Sequence, residues 1–268
     1  MSSLNSFARW SGWFALVLVF ATATVFLSSW QFDRREEKVD QIELVQNNYN
    51  APIQTLDQVV QNGDLPAENE WKRVELEGQY LTDYVYLVRN RPLNGQPGFL
   101  QLVPFQTNSG QIVAIERGWM PTGNMQDSPD FIPRVESEQR TVIVRLRHNE
   151  PEVNRSAPEG QIENINLPRF ADITGLAVEL DFYGRLASEV PASSEYATPM
   201  PMPRMDEGNH LSYALQWILF GVMAFIAFGW ALRQELRYRA GKVKEKKKDF
   251  DSNVEDQLLD SAEAEQMQ

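Results

Sequence analysis

The sequence contains no cysteine, and its 268 residues include only two histidines, His148 and His210. The absence of cysteine excludes a disulfide framework, a cysteine-based zinc or iron–sulfur site, and a thiol nucleophile. A metal site built from three histidines of one chain is excluded as well. The missing cysteines leave the redox compartment open, because a cysteine-free domain can fold in an oxidising or a reducing setting.

The sequence also lacks the short motifs that mark common active sites. It has no G-x-S-x-G, no H-E-x-x-H, no Walker phosphate-binding loop and no G-x-G-x-x-G. Neighbouring carboxylates such as Glu75 and Glu77 fit the solvated face of a strand, and His148 fits an exposed position at the end of a basic strand. We therefore expect that the protein is not an enzyme.

The formal net charge of −12 is unevenly distributed along the chain. Seven acidic residues and no Lys or Arg follow position 248, and a basic segment stands directly before them. Such a segment can bind nucleic acid or lie against anionic lipid. Because this one directly follows a long apolar run, we expect contact with membrane lipid and no nucleic-acid partner. Its cations are Arg233, Arg237, Arg239, Lys242, Lys244, Lys246, Lys247 and Lys248.

Two long uncharged runs predict transmembrane helices. The first covers residues 12–30, and its nineteen residues would span about 28 Å as a helix, close to the thickness of a hydrocarbon core. Tryptophans stand at both of its ends, as is usual at membrane interfaces. A cleaved signal peptide is the alternative, but the run exceeds the usual apolar region of such a peptide, so we expect a retained anchor. The second predicted transmembrane helix covers residues 210–232.

The distribution of basic residues predicts how these helices cross the membrane. The basic segment that begins at residue 233 favours the cytoplasm by the positive-inside rule. Residues 1–11 and 233–268 are then cytoplasmic, and residues 31–209 lie on the outer side. Three cations beyond the first helix oppose this orientation, and we expect the larger basic segment to prevail over Arg34, Arg35 and Lys38.

The segment between the two helices changes from helical to strand-like spacing. Residues 33–62 are predicted to be helical, with residues 33–48 continuing the first span and residues 51–62 forming a second, short helix. Residues 71–188 are β-rich, because apolar and polar residues alternate there as in half-buried strands. The predicted strands are Trp71–Tyr80, Val85–Arg89, Phe99–Thr107, Gln111–Trp119, Arg140–Arg147 and Val178–Ala187, with a helix at Leu167–Thr174.

Short and numerous strands predict a mainly antiparallel domain, a small barrel or sandwich with short helices, between the two transmembrane helices. Residues 121–133 are predicted to form an irregular connection. Residues 191–207 hold four prolines and predict an extended linker. The tail over residues 233–268 is short and polar, and we expect it to be disordered.

Aromatic and polar residues gather at the outer ends of both predicted transmembrane helices. An axial imidazole, apolar walls and nearby arginines are the groups with which a protein can hold haem. An interfacial histidine among aromatic residues also serves as a simple membrane anchor, so both interpretations remain open. The residues concerned are Trp30, Gln31 and Arg34 at the end of the first helix and His210, Tyr213 and Trp217 on one face of the second.

Three separated motifs together resemble the surfeit-locus-1 family of cytochrome c oxidase assembly proteins. The first is Trp30-Gln31 followed by Arg34 and Lys38, similar to a W-Q-x-x-R-x-x-x-K pattern at the end of the first span. The second runs from Arg89-Asn90-Arg91-Pro92 to Arg117-Gly118-Trp119-Met120-Pro121, and the third is Asn209-His210 followed by Tyr213-Ala214 and Trp217. The chain departs from the family pattern at Gln216, where Thr is frequent, and in having one Asn before the histidine.

The resemblance implies a non-enzymatic factor that aids delivery of haem a into subunit I of a haem–copper oxidase. It implies that haem a synthase supplies the haem and that His210 is an axial ligand of its iron. Arg34 or Arg35 would then neutralise a propionate, and Tyr213, Trp217, Trp30 and Gln31 would surround the group. The strand-end motif Arg117, Gly118, Trp119 and Pro121 would build structure or dock subunit I, with Arg117 as a surface or turn-stabilising residue.

With eleven residues before the first span, we expect no mitochondrial presequence. This implies a bacterial inner (plasma) membrane protein with its main domain in the periplasm and both termini in the cytoplasm. Two alternatives belong to other classes. One is a cofactor-free scaffold that stabilises an oxidase assembly intermediate, and the other is a two-span periplasmic sensor.

Overall fold

In a computed structural model, the backbone is described for residues 2–125 and 127–266, and side chains for residues 7–125 and 127–242. Val39–Asp206 forms one compact unit, and the two terminal segments on either side of it in the sequence form the other.

The terminal unit is built from two long helices, α1 (Ser2–Asn48), of which residues 39–48 belong to the other unit, and α4 (His210–Gln266). Each contains a segment long and apolar enough to cross a membrane. No proline interrupts either helix, and α4 begins two residues after Gly208, whose positive φ of 71° turns the chain into the helix. Residues 12–30 and 210–232, the two predicted spans, lie within these longer, continuous helices.

The polar composition of residues 233–268 predicts a disordered tail. In the structure, helix α4 continues to Gln266. The difference has a local reason, since residues 242–266 contain neither proline nor glycine and are rich in Lys, Glu, Gln, Leu and Ala. These residue types have high helix propensity, which favours continuation of the helix.

The second unit is an eight-stranded sheet with two short helices, α2 (Leu56–Val59) and α3 (Leu167–Thr174). The strands are β1 (Gln54–Thr55), β2 (Arg73–Tyr80), β3 (Tyr86–Val88), β4 (Gly98–Thr107), β5 (Ile112–Pro121), β6 (Arg140–His148), β7 (Gln161–Ile162) and β8 (Phe182–Val190).

Five strands close into a small barrel. The ring runs β2–β6–β8–β5–β4 and returns to β2, where Gly78 pairs with Thr107. All its pairs are antiparallel except β5–β8. Glycine is required at position 78, because a Cβ there would overlap the carbonyl group of Gln106 on the facing strand. Of the two predicted architectures, barrel and sandwich, the structure is the barrel.

The barrel encloses a core of alternating inward-facing side chains. On β2, Val74, Leu76, Gly78 and Tyr80 are buried, and the residues that alternate with them, Glu75, Glu77 and Gln79, are exposed. Strands β4 and β5 are buried on both faces, because α3 covers their outer side with Phe170. The inner cluster also includes Val103, Phe105, Val113, Ile115, Val142, Val144, Leu146 and Phe182.

Three segments differ from their prediction. The helix expected at 51–62 is reduced to α2, because Gln54 and Thr55 pair in parallel with β2 instead. The closing strand expected at Val178–Ala187 is β8, shifted toward the C-terminus. The proline-rich linker is extended but not free, since Thr198 exchanges two backbone hydrogen bonds with Trp119, of 2.7 and 2.8 Å.

Candidate functional site

Helices α1 and α4 pack against each other in antiparallel fashion along one face of each. Ser28 Oγ donates to the carbonyl oxygen of Ala214 at 3.1 Å. A Cβ added to Gly221 would lie 2.7 Å from Thr24 Oγ1. At the opposite end, the ring of Phe228 lies 5.6 Å from that of Trp10 and 5.6 Å from that of Phe14.

The contact faces follow a heptad spacing in both helices, with small or polar residues in the middle. Such residues allow helices to approach closely in a membrane, where apolar burial gives little drive for association. Many other large apolar side chains of the two helices, such as Leu16, Val25 and Ile226, are exposed, as lipid-facing side chains would be. The positions that follow this spacing, all of them buried or half-buried except Phe14, are Trp10, Phe14, Val17, Ala21, Thr24, Ser28, Gln31 and Arg35 on α1, and His210, Ala214, Trp217, Gly221, Ala224 and Phe228 on α4.

His210 begins α4 at the end of this contact. Its Nδ1 lies 2.9 Å from Oε1 of Gln31, at hydrogen-bond distance across the two helices. Both side chains are half-buried. The imidazole is therefore held in one orientation by a partner 179 residues away in the sequence.

Of the two arginines predicted beside the histidine, Arg35 is the one directed toward α4. It forms a 2.7 Å ion pair with Glu207, three residues before His210. Arg34 instead pairs with Glu37 along α1 at 2.8 Å. Helix geometry separates the two, because neighbouring residues point about 100° apart. The structure thus groups Arg35 with Gln31 and His210, and it leaves Arg34 outside the group.

The predicted aromatic residues are divided in the same way. Trp217 is half-buried on the contact face, with its ring 5.8 Å from that of Phe220. Tyr213 is 51% exposed and Trp30 is 46% exposed. Among the described side chains, neither has a hydrogen bond or a ring contact with His210. Ala214 takes the contact position after His210, so His210 and Trp217 lie on the packed face and Tyr213 lies beside it.

In the barrel unit, the Arg117-Gly118-Trp119 motif lies in a β-bulge. Gln101 of β4 pairs with Gly118 and Leu102 pairs with Glu116, so Arg117 is an extra residue in β5. Gly118 has a φ of 142°, and a Cβ there would lie 2.7 Å from the carbonyl oxygen of Thr198. Trp119 is buried and its Nε1 donates to the carbonyl oxygen of Arg91 at 2.6 Å.

The prediction that Arg117 is a surface or turn residue is wrong, because the bulge turns its side chain inward. The Arg117 side chain is 3% exposed and forms a 3.2 Å ion pair with Glu189, which is 4% exposed. Arg117 also donates to Gln101 Oε1 at 2.9 Å and to Ser193 Oγ at 2.8 Å. Arg140 pairs with the other oxygen of Glu189 at 3.2 Å. This network joins β4, β5, β6 and β8 to the linker.

Titration behaviour in this network follows from burial and charge. Burial alone would raise the pKa of Glu189, but the Ser193 hydroxyl and the guanidinium groups of Arg117 and Arg140 lower this pKa below its usual value. Burial, together with the negative charge of Glu189, raises the pKa of the Tyr80 hydroxyl. The tyrosine therefore stays neutral and donates to Glu189 at 3.2 Å.

The second histidine lies in the barrel unit. His148 ends β6, and its Nδ1 is 3.9 Å from a carboxylate oxygen of Asp181. It is partly exposed, as predicted for a strand-end residue. Among the side chains of residues 7–125 and 127–242, no three His, Asp or Glu are grouped so that they could hold a metal ion.

The fold and these sites define a class of protein, one with two membrane-spanning helices and a closed β-barrel inserted between them in the sequence. A sequence model of the SURF1 family matches residues 18–222. An uncharacterized SURF1-like protein of Mycobacterium tuberculosis (strain ATCC 25618 / H37Rv) is 31% identical over 238 residues, covering 85% of this chain and 86% of the relative. A SURF1-like protein of Rickettsia bellii is 24% identical over 217 residues, covering 78% of this chain and 85% of the relative. This chain belongs to the SURF1 family.

Membership is consistent with a role in oxidase assembly, and the two apolar helices fit a membrane protein of this family. The family consists of assembly factors and is not known for enzymatic activity.

Proposed function

We propose that this protein aids the delivery of haem a to subunit I of a haem–copper cytochrome c oxidase, and that His210 offers an axial ligand to the haem iron. The observation that carries the proposal is the half-buried imidazole at the end of an apolar helix pair, oriented by Gln31 at 2.9 Å. Histidine is a common axial ligand of haem iron. The haem held in this way would be the group that is passed on to the oxidase.

The residues beside His210 fit such a group in kind. Trp217 gives an aromatic wall on the contact face. Arg35 supplies a cation near the start of α4, since it pairs with Glu207, three residues before His210. A haem propionate would compete with Glu207 for Arg35, since both are carboxylates that a guanidinium can bind. We therefore propose Arg35, in place of Arg34, as the propionate partner.

The orientation and partners belong to the same proposal. Basic residues after the second span favour cytoplasmic termini and a periplasmic barrel in a bacterial inner membrane. Haem a synthase would supply the haem, subunit I would receive it, and lipid would surround α1 and α4. The exposure of large apolar side chains on both helices supports the lipid contact.

The test is purification of the protein in detergent from a host that makes haem a, followed by an absorption spectrum. We expect haem a to accompany the wild-type chain and the His148→Ala variant, and to be lost from His210→Ala. Since His148 is the only other histidine of the sequence, it provides a matched control. Undiminished haem in His210→Ala would contradict the assignment of the ligand.

A cofactor-free scaffold is the second candidate, and a cleft on the barrel favours it. The cleft has a volume of about 570 Å³ and is lined by the exposed residues Pro121, Phe131 and Tyr196, among others. A partner subunit could dock there, next to the bulged strand end. If His210→Ala restores oxidase assembly as well as the wild type in a strain lacking this protein, while Phe131→Ser does not, the scaffold function is the correct one.

A further inference from the structure

We propose that Gln31 is a positioning residue that selects the tautomer of His210 and thereby presents Nε2 as the ligating nitrogen. This inference takes from the proposed function that the bound metal is haem iron; the tautomer itself does not depend on that function. Its geometric basis is the 2.9 Å separation of Gln31 Oε1 and His210 Nδ1. An amide oxygen only accepts hydrogen bonds, so a neutral imidazole in this pair carries its proton on Nδ1. Its lone pair is then on Nε2.

The helix contact holds this pair in register from both sides. One turn before Gln31, Ser28 donates to the carbonyl oxygen of Ala214 at 3.1 Å. One turn after it, Arg35 pairs with Glu207 at 2.7 Å. Gln31 thus lies between one contact with α4 and one with the residues just before it, and these two contacts hold its backbone opposite His210.

The opposite edge of the imidazole faces a glycine. A Cβ added to Gly208 would lie 3.4 Å from Cδ2 and 3.5 Å from Nε2 of His210. Gly208 also has a positive φ of 71°, which disfavours other residues. Glycine at this position therefore leaves the Nε2 edge free of any side chain from residue 208, on the side where a ligating nitrogen needs room.

The chemistry of metal-bound histidine explains the use of such a pair. A histidine that ligates a metal through one nitrogen usually donates its other N–H to an acceptor, which fixes the ring and makes the ligating nitrogen more basic. Loss of an outer partner of this kind typically lowers metal affinity by about 10–100-fold. Gln31 supplies the acceptor from the other helix, so ligand strength at His210 depends on correct pairing of α1 and α4.

The tautomer can be measured without haem, because the chain has only two histidines. In a His148→Gln background, ¹⁵N-labelled histidine reports His210 alone by NMR of the full-length protein in detergent. At a pH where the ring is neutral, we expect a protonated Nδ1 and an unprotonated Nε2. Gln31→Leu should shift the population toward the Nε2-protonated form, whereas Gln31→Glu keeps an acceptor and should retain the Nδ1-protonated form. Gln216→Leu, an exposed glutamine in α4, is the matched control and should change nothing.

A second arm titrates haemin into the same variants and follows the absorption spectrum. We expect Gln31→Leu to bind about 10–100-fold more weakly than the wild type, with Gln216→Leu unchanged. A wild-type His210 protonated on Nε2, or a Gln31→Leu variant with the wild-type tautomer, would overturn the role of Gln31 even if haem binds. A correct tautomer with no binding of haemin or haem a would support the role of Gln31 and contradict the proposed function instead.

Discussion

Gly221 of α4 lies directly against Thr24 of α1. A Cβ at position 221 would be 2.7 Å from Thr24 Oγ1 and 3.8 Å from Thr24 Cβ. The other glycine of the spanning part of α4, Gly229, has no atom within 4 Å of the corresponding position. One glycine thus permits the close approach of the two helices, and the other lies outside the contact.

Replacing Gly221 by Leu should therefore separate the helices, while Gly229→Leu should leave them paired. His210 and Gln31 meet only because the two helices pair. We therefore expect His210 in the Gly221→Leu variant to shift away from the Nδ1-protonated tautomer, and the variant to bind much less haem. Gly229→Leu should retain both. The His210 NMR signal and the haem absorption check this, and equal behaviour of the two variants would contradict the helix contact.

A disulfide should form between cysteines placed at positions 24 and 221. The Cβ separation of 3.8 Å equals the mean value found in disulfides, and the chain has no cysteine of its own to interfere. After mild oxidation and proteolytic cleavage within the barrel, we expect the two helices of Thr24→Cys/Gly221→Cys to remain linked on a non-reducing gel. The pair Thr24→Cys/Gly229→Cys is the control and should not be linked.

Removing Arg117 should destabilise the barrel strongly. Its guanidinium compensates Glu189 in the interior, and breaking one partner from a buried ion pair typically costs about 3 kcal/mol or more. We expect Arg117→Met to lower the free energy of unfolding by about this amount, measured by denaturant titration in detergent. Arg155→Met, at an exposed position, should change it by less than about 0.5 kcal/mol.

The stability of the barrel should fall in acid partly through Glu150. Burial would raise the pKa of this carboxyl, but hydrogen bonds and charge from Arg91, with the backbone N–H of Ile165, lower the pKa below the usual 4.5. The folded state thus binds its proton later than the unfolded state does as the pH falls. Glu150 therefore stabilises the fold above about pH 4.5, and this contribution is lost as the pH falls through the lowered pKa.

We expect Glu150→Gln to reduce the slope of stability against pH between about pH 3 and 5, with lower stability at pH 7. Thermal unfolding followed at several pH values measures this slope. The exposed Glu152→Gln variant is the control. An unchanged slope in Glu150→Gln would show that its pair with Arg91 does not govern the acid response.

Gly118→Ala should cost more than Gly110→Ala, although both glycines have positive φ values, of 142° and 92°. Only the Cβ at position 118 meets other atoms, with the carbonyl oxygen of Thr198 at 2.7 Å. Gly110→Ala should therefore cost about 1–2 kcal/mol from backbone strain alone, and Gly118→Ala should add the loss of the linker pairing at Thr198. Equal losses of unfolding free energy in the two variants would contradict this account.

Local features of the chain were readable from the sequence. Helix α3 has its predicted bounds, Leu167–Thr174, because Asn166 caps its first turn and Gly175 ends it in the left-handed conformation. Strand β2 follows from alternation of apolar and polar residues. The helix predicted over residues 51–62 was mostly wrong, because pairing of Gln54 and Thr55 with β2 outweighed local propensity.

The candidate site was only partly predictable. His210 and Gln31 stand in recognisable motifs, but nothing in their spacing indicates that they bond to each other. The choice of Arg35 over Arg34, and of Ala214 over Tyr213, depends on how far each helix is rotated about its axis. That rotation is fixed by contacts such as Ser28 with Ala214, which join residues 186 positions apart.

The sequence by itself determined the two apolar helices, the run of short strands and the histidine at the start of α4, since each depends on neighbouring residues. The tertiary structure decided that β4 returns to β2 to close a barrel, that a bulge turns Arg117 into its interior, and that Gly221 brings α1 and α4 together. These outcomes depend on which distant surfaces fit closely enough to pack and to satisfy their polar groups. For that reason the sequence identifies His210 as a candidate ligand, but only the tertiary structure shows that Gln31 is its hydrogen-bond partner.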